Sequence, residues 1–268
     1  MINKNITFIG VGHISHAIID GLLKAKTVDK DKIILSGPHL ERFNDLGKKY
    51  GLKTTTNNIE AVKNAEIVFI GVRPKVVEKV AGGIKTHLKS DALIISIAAG
   101  VTFDLLHKYF SAKEIKLVKV IPNIPVAYGL GVVGWVGDYL TVQDKTLVKS
   151  LLKPLGLIIE CKDEKTLDKL SMISGCGIGY VAYFMKNLEK IAKSYGLNED
   201  DVSKIVLNTF TGTVKHLSET GESPEKLTSA VATKGGITEE VLKSMEEGGF
   251  SKLFSESVKK GYDKIGEL

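Results

Sequence analysis

The sequence is poor in cysteine and has no long hydrophobic run, and both absences exclude classes of protein. Cys161 and Cys176 are the two cysteines in 268 residues, too few for a disulfide framework, so we expect a reducing, cytoplasmic setting. No apolar run approaches the roughly 18 residues that a membrane-spanning helix needs. The opening residues lack the basic and then apolar layout of a signal peptide. We therefore expect no membrane partner.

Other functional signatures are missing as well. The net charge of +6 is mild, and no basic stripe is interleaved with aromatic residues, so we expect no nucleic-acid partner. No nucleophile elbow of a serine hydrolase occurs. His13 and His16 are three residues apart, but His13 belongs to a glycine turn. We therefore expect no metal site among the six histidines.

Residues 1–162 alternate short β-branched runs with helical patterns. Strands are predicted at residues 6–9, 33–36, 52–54, 67–72, 92–97, 117–121, 131–136 and 157–161. Helices are predicted at residues 15–25, 40–50, 59–63, 75–88, 103–110 and 146–155. This alternation predicts an α/β domain, a Rossmann-like, doubly wound parallel sheet with both faces covered.

Residues 163–268 carry almost no strand signal. One long helical pattern is predicted over residues 164–195, with further helices at residues 198–220, 223–232, 238–247 and 252–265. We therefore predict a second, all-α domain with its boundary near residue 162. Since a thin helical domain often cannot bury its own apolar faces, we expect it to dimerise.

Gly10 and Gly12 mark a turn between the first strand and the first helix. Gly10 permits the turn, and Gly12 lets the backbone approach a phosphate closely. Free N–H groups and the helix dipole supply the attraction, which predicts a dinucleotide pyrophosphate site. A glycine turn that is purely structural is the alternative. Ser15 occupies the third small position of the motif.

The second strand ends at Ser36, where NAD-binding Rossmann domains usually present an acid to the ribose 2′-hydroxyl. A neutral hydroxyl followed by His39 and Arg42 suits a 2′-phosphate better. We therefore predict NADPH as the cofactor and leave NADH open. For Arg42, a merely solvated residue in the first turn of a helix is an equal alternative.

Three more strand ends carry residues suited to a cleft. Pro74 follows Arg73 and can open the next helix. Ala98 and Ala99 are small and leave room for a flat ring. Asn123 offers an amide on a loop that prolines make rigid. Because the carboxyl ends of such strands line the cofactor crevice, we expect the nicotinamide against Ala98, Ala99 and Asn123.

The second domain carries a Gly-Gly pair just before a helix. Gly235 and Gly236 precede Thr238, the predicted N-cap, so exposed N–H groups would lie at a positive dipole end. This arrangement suits a small anion such as a carboxylate, and a plain capped turn is the alternative. Glu239 and Glu240 would repel that anion, whereas Lys234 would offset them if it turned inward.

Together these segments resemble the pyrroline-5-carboxylate reductase family over nearly the whole chain. The resemblance rests on six segments: Phe8-Ile9-Gly10-Val11-Gly12, Gly71-Val72-Arg73-Pro74, Ser96-Ile97-Ala98-Ala99-Gly100, Pro122-Asn123-Ile124-Pro125, Ser174-Gly175-Cys176-Gly177-Ile178-Gly179-Tyr180 and Lys234-Gly235-Gly236-Ile237-Thr238. It implies a Rossmann domain, a helical domain that dimerises by interlocking helices, and a homodimer or larger ring. It also implies NADPH-dependent reduction of a cyclic imine, Δ1-pyrroline-5-carboxylate, to L-proline, the last step of proline biosynthesis.

The resemblance further implies the residues of the site. Nucleotide contacts are implied for Gly10, Gly12, His13, Ile14, Ser36, Asn58, Val72, Arg73, Pro74, Ala98 and Ala99. Substrate contacts are implied for Val231, Gly235, Gly236 and Thr238, with Asn123 and the bend at residues 174–177 lining the cleft. We expect the Thr238 hydroxyl and nearby N–H groups to hold the substrate carboxylate. The proton donor is open between Ser174, Cys176 and bulk water, and Cys176 is expected to be a small buried filler rather than an acid.

The chain departs from the family pattern near the expected substrate pocket. Cys176, Ile178, Lys234 and Ile237 stand where the family commonly has other residues, and Arg73 replaces a lysine. These departures leave two alternatives open. One is a reductase of the same fold acting on another imine or oxo acid, and the other is a non-catalytic, nucleotide-binding regulatory protein.

Overall fold

The structure, a computed structural model, describes residues 1–267, except for the side chains of Arg42 and Glu267. It divides into two compact units. The sheet unit comprises Met1–Cys176 and the segment from Tyr262 onward, and the helical unit comprises Gly177–Gly261.

The described part of the sheet unit is built on one sheet of eight strands. They are β1 (Ile6–Ile9), β2 (Ile33–Ser36), β3 (Lys53–Thr55), β4 (Ile67–Ile70), β5 (Leu93–Ser96), β6 (Leu117–Pro122), β7 (Gly131–Asp138) and β8 (Gly156–Glu160). Their order is β3-β2-β1-β4-β5-β6-β7-β8, so the winding reverses between β1 and β4, as in a doubly wound fold.

The predicted parallel sheet is confirmed except at one pair of strands. β6 and β7 are antiparallel, with Leu117 opposite Asp138, whereas the other neighbouring strands run parallel. The segment between them is a short 3-10 turn over Ile124–Tyr128 and contains no crossover helix. A parallel return needs a crossover of a dozen or more residues, so this short connection produces a hairpin.

Helices cover both faces of the sheet. They are α1 (His13–Lys24), α2 (Asn44–Tyr50), α3 (Asn58–Val62), α4 (Pro74–Ile84), α5 (Phe103–Phe110), α6 (Val142–Leu152) and α7 (Glu164–Ser174). Alternate residues of β4 enter two separate core clusters, Ile67 and Phe69 in one, Val68 and Ile70 in the other. This two-residue alternation confirms a sheet buried on both faces, and it explains why the strand is apolar throughout.

The helical unit contains α8 (Gly177–Ser194), α9 (Glu199–Thr220), α10 (Pro224–Val231), α11 (Ile237–Glu247) and most of α12 (Phe250–Asp263). The prediction of one helix across residues 164–195 is wrong, because α7 ends at Ser174 and α8 begins at Gly177. The Cys176 N–H donates to the Ser171 carbonyl at 2.9 Å, which closes the last turn of α7. A Cβ on Gly175 would lie 2.9 Å from that oxygen, so glycine permits the break.

The helical unit leaves most of its apolar side chains in solvent. Val202 and Val206 of α9 are buried, whereas α8, α10, α11 and α12 contribute no buried residue among those described. Large apolar residues such as Tyr183 and Leu207 are more than half exposed. This exposure is what we expect of a domain whose apolar faces pair with another copy.

α7 belongs to the sheet unit by packing. Leu167 is fully buried against Val136 of β7 and Cys161. The two compact units divide after Cys176. The domain boundary expected near residue 162 stays a prediction. None of the described helices is long and apolar enough to span a bilayer.

Candidate active site

A cavity of about 800 Å³ opens at the carboxyl ends of β1, β2 and β4. Five of the predicted cofactor residues line it: Gly10, Gly12, Asn58, Val72 and Arg73. The far wall comes from α4, which contributes Val76, Lys79 and Val80. This is the edge at which open α/β sheets bind nucleotides.

The turn after β1 requires glycine at position 10. Gly10 has φ +85°, and a Cβ there would lie 2.6 Å from Cγ1 of Val72. The Ser15 hydroxyl donates to the Gly10 carbonyl at 2.8 Å, and the Gly10 N–H donates to the Ser36 carbonyl at 2.8 Å. Ser15, the departure at the third position of the motif, therefore holds the turn in place.

The N-terminus of α1 is left open to an anion. Its N-cap is Gly12, no side chain caps the helix, and its first turn carries no acid. A Cβ on Gly12 would have no atom within 4 Å, so the space in front of the backbone is clear. His13 and Ile14 are the first two helical residues, whose N–H groups have no partner within the helix. The position therefore fits a phosphate.

Ser36 does not present its hydroxyl to the cavity. Its side chain is fully buried, and Oγ donates to Oδ1 of Asn58 at 2.6 Å. Asn58 lines the cavity instead, together with His39, whose Nδ1 lies 3.2 Å from Oε1 of Glu41. The side chain of Arg42 lies outside the described residues, so its expected role stays a prediction.

The segments after β4 and β5 contain further predicted cofactor residues. Pro74 is the first residue of α4 and Arg73 is its N-cap, which confirms that the proline opens the helix. Ala98 is buried and Ala99 is exposed, and neither lines the large cavity. Their predicted contact with a nicotinamide ring stays a prediction.

Asn123, whose amide the sequence analysis expected a rigid loop to offer to a ligand, makes two hydrogen bonds within the protein. It is buried, its Nδ2 donates to the Ser174 carbonyl at 3.0 Å, and its Oδ1 accepts from the Val132 N–H at 2.9 Å. The amide therefore joins the end of α7 to the β6–β7 hairpin.

The candidate proton donors near the end of α7 differ in exposure. The Ser174 hydroxyl donates to the Leu170 carbonyl at 3.0 Å within α7, and the side chain is buried. Cys176 is exposed, so the expectation of a buried filler is wrong, because the residue follows the last turn of α7.

A second cavity, of about 440 Å³, contains a buried cation that the sequence analysis missed. Lys119 lines it with a side chain only 4% exposed, and its Nζ lies 2.6 Å from Oε1 of Glu164. Asp168 lines the same cavity, and burial raises the pKa of its carboxyl, helped by Glu164 and opposed by Lys119. The sequence feature that could have revealed this cation is the single lysine within the otherwise apolar strand β6.

Helix α11 begins earlier than predicted, directly after the Gly-Gly loop of the helical unit. Gly236 is the N-cap, so Thr238 is not, and Thr238 lies exposed in the first turn. Gly235 has φ +71°, and its N–H donates to Oε2 of Glu239 at 2.6 Å. The Glu239 carboxylate therefore occupies one of the backbone N–H groups that were predicted to bind a ligand. Val231 ends α10 and is 55% exposed.

Side chains that could ligate a metal are dispersed in the described part of the chain. There, no three His, Cys, Asp or Glu side chains are grouped so that they could hold an ion.

Two family models match the chain. Residues 164–268 match the model described as pyrroline-5-carboxylate reductase dimerisation, and residues 5–100 match the model described as NADP oxidoreductase, coenzyme F420-dependent.

Relatives match over nearly the full length. Pyrroline-5-carboxylate reductase 2 of Bacillus subtilis is 26% identical, with 99% of this chain and 95% of the relative covered. Pyrroline-5-carboxylate reductase 3 of Danio rerio is 29% identical, with 98% and 91% covered. The crystal structure of Plasmodium falciparum pyrroline carboxylate reductase with NADP bound has a TM-score of 0.90 at 28% identity, with 100% and 98% covered.

The sheet order, the glycine turn and the helical unit thus occur together in a chain that matches these proteins from end to end. The chain is therefore similar to pyrroline-5-carboxylate reductases along nearly its whole length, in sequence and in fold.

Proposed function

We propose that this protein reduces Δ1-pyrroline-5-carboxylate to L-proline with NADPH. The observation that carries the proposal is the cavity of about 800 Å³ in which the Gly10 turn and the uncapped N-terminus of α1 meet. Its volume and open helix end suit a dinucleotide. The full-length likeness to named pyrroline-5-carboxylate reductases supplies the substrate.

The residues of the sheet unit bind and orient the cofactor. The N–H groups at the start of α1 hold the pyrophosphate, since Gly12 leaves the approach clear. Val72 and Arg73 line the same cavity, Pro74 follows them at the start of α4, and Ala98 and Ala99 leave space for a flat ring. When bound, the reduced nicotinamide supplies the hydride for the C=N carbon.

The Gly-Gly loop binds the substrate carboxylate. Glu239 already accepts from the Gly235 N–H, so the N–H groups at the start of α11 and the Thr238 hydroxyl are the donors left for an anion. Gly235, Gly236 and Val231 shape the loop around the imine ring. Hydride transfer requires a protonated imine whose carbon lies within about 3.5 Å of the nicotinamide.

The test is NADPH oxidation by the full-length protein with pyrroline-5-carboxylate, followed through the absorbance of the reduced nicotinamide. Turnover with formation of proline supports the proposal. Imines of other ring size and oxo acids form parallel arms, because Cys176, Ile178, Lys234 and Ile237 alter the expected pocket. Faster turnover of one of these compounds reassigns the substrate. Calorimetric binding of NADPH without any turnover indicates a regulatory protein.

We also propose that the protein acts as a homodimer or a higher homo-oligomer. The match of residues 164–268 to a dimerisation model and the exposed apolar residues of α8 and α9 support this. Size-exclusion chromatography at micromolar concentration should give at least twice the mass of one chain, and a monomer there would contradict the proposal. Cys161 and Cys176 are both free thiols, which favours the cytoplasm. The absence of a nucleic-acid partner stays a prediction.

A further inference from the structure

The second cavity, of about 440 Å³, is separate from the large cavity at the Gly10 turn, because no described residue lines both. Its walls are the segment after β5, the strand β6, the helix α7 and the chain from Tyr262 onward, all of them in the sheet unit. Its volume falls within the range of roughly 300–1,000 Å³ that is usual for small-molecule sites. The cavity therefore has room for a ligand of its own.

Lys119 brings a buried ammonium group to this cavity. Its side chain is 4% exposed, and its Nζ donates to Oε1 of Glu164 at 2.6 Å. An ammonium group carries three N–H donors, and two of them have no acceptor among the described residues. The centre of the Phe103 ring, 6.0 Å from Nζ, is too far away to replace one. Because a buried donor without an acceptor is costly, the cavity favours a molecule that supplies oxygen atoms.

Asp168 brings a carboxylate that has no cation of its own. Within the described residues its carboxyl oxygens make no hydrogen bond and no ion pair, and Lys119 is already paired with Glu164. Asp263 adds a further carboxylate to the lining. Burial raises the pKa of the Asp168 carboxyl, with Lys119 opposing the rise and Glu164 adding to it. A cationic nitrogen in the cavity would stabilise the ionised carboxylate and balance its charge.

The unused donors of Lys119 and the unpaired carboxylate of Asp168 require opposite groups on one molecule. We propose that this cavity binds a small molecule with a carboxylate and an ammonium group, the chemistry of a free α-amino acid. The ligand carboxylate accepts from Nζ of Lys119, and the ligand ammonium group donates to the Asp168 carboxylate. None of the lining residues is among those proposed to bind the imine substrate, so the inference goes beyond the proposed reaction and does not depend on it.

Calorimetry on the full-length wild-type protein with three matched probes tests both halves of the proposal. L-Norvaline carries both charged groups, pentanoate lacks the ammonium group, and butylamine lacks the carboxylate. Norvaline should bind at least about tenfold more tightly than either of the others, because each missing group removes a hydrogen bond to a charged partner. Equal binding of norvaline and butylamine, or of norvaline and pentanoate, would overturn the proposal. A failure of norvaline to bind would overturn it as well.

Three variants test whether the probe lies in this cavity. Asp168→Asn removes the negative charge at nearly constant side-chain size and should weaken norvaline binding about tenfold. Asp91→Asn makes the same change at an exposed aspartate outside the cavity and should leave binding unchanged, as should Thr238→Ala in the proposed substrate site. Norvaline binding that is lost in Thr238→Ala but kept in Asp168→Asn would overturn the proposal. Urea unfolding of each variant checks the fold, and the three probes on wild type decide the matter if Asp168→Asn does not fold.

Discussion

Nε2 of His107, in α5, lies 2.7 Å from Oδ2 of Asp138, at the end of β7. Its Nδ1 lies 2.9 Å from the Ala112 carbonyl, and the ring of Tyr139 meets it edge to face. Both ring nitrogens face oxygen acceptors, and only the protonated imidazolium can donate to both. The pair therefore joins α5 to the sheet most strongly when His107 is charged.

This geometry makes the free energy of unfolding depend on pH. Burial alone would lower the pKa of His107, but its bonds to Asp138 and Ala112 outweigh burial and raise the pKa above its usual value near 6.5. The stabilisation is therefore complete below about pH 6.5 and is lost as the pH rises through the folded-state pKa. His107→Gln should cost most in urea unfolding near pH 6 and little in alkaline buffer. His87→Gln, at an exposed histidine, is the control, and a cost for His107→Gln that does not change with pH would contradict the prediction.

Gly10 and Gly12 should respond differently to alanine. Gly10→Ala places a methyl group 2.6 Å from Val72 at a positive φ, so it should destabilise the fold by roughly 1–3 kcal/mol. Gly12→Ala meets no atom of the chain and should unfold like wild type, while Kd for NADPH rises about tenfold or more, because the methyl group occupies the space of the phosphate. Urea unfolding and calorimetry measure the two effects. Unchanged NADPH binding by Gly12→Ala would exclude this turn as the phosphate site.

Lys119 should be needed for stability because its charge is buried. Lys119→Met leaves the partly exposed Glu164 carboxylate without its cation and should cost about 1–3 kcal/mol in urea unfolding. Lys119→Met with Glu164→Gln should recover part of that cost. Lys145→Met breaks the exposed pair with Glu160 and should cost less than about 1 kcal/mol. Equal costs for the two single lysine variants would disprove the distinction.

Thr238 should contribute to substrate binding and not to cofactor binding. Thr238→Ala removes a hydroxyl from the first turn of α11 and should raise the substrate KM about tenfold, while the NADPH KM stays unchanged. Thr146→Ala, at an exposed helical threonine of the sheet unit, should change neither constant. A substrate KM unaffected by Thr238→Ala would remove Thr238 from the site.

Elements built from local signals were predictable in type and nearly in position. β1 and β2 begin and end at the predicted residues, because short β-branched runs flanked by turns specify a buried strand. The same holds for α5, whose Thr102 cap accepts from the Leu105 N–H. The glycine turn was predictable too, since few residues other than glycine adopt the φ of Gly10.

Features that depend on which of several hydrogen bonds forms were not predictable. The N-cap of α11 is Gly236 because Gly235 turns back to Glu239, a competition that composition does not reveal. The antiparallel β6–β7 pair depends on a hairpin that Asn123 holds through its bond to the Val132 N–H.

The sequence by itself determined the succession of strands and helices along the chain, the glycine turn at Gly10 and the change to an all-helical second part, because each follows from periodicity or from the conformational range of single residues. Only the tertiary structure decided which polar side chains remain available for a ligand. Ser36 and Asn123 are far along the chain from their partners Asn58 and Ser174, and the hydrogen bonds that occupy them form only once the sheet and α7 are in place.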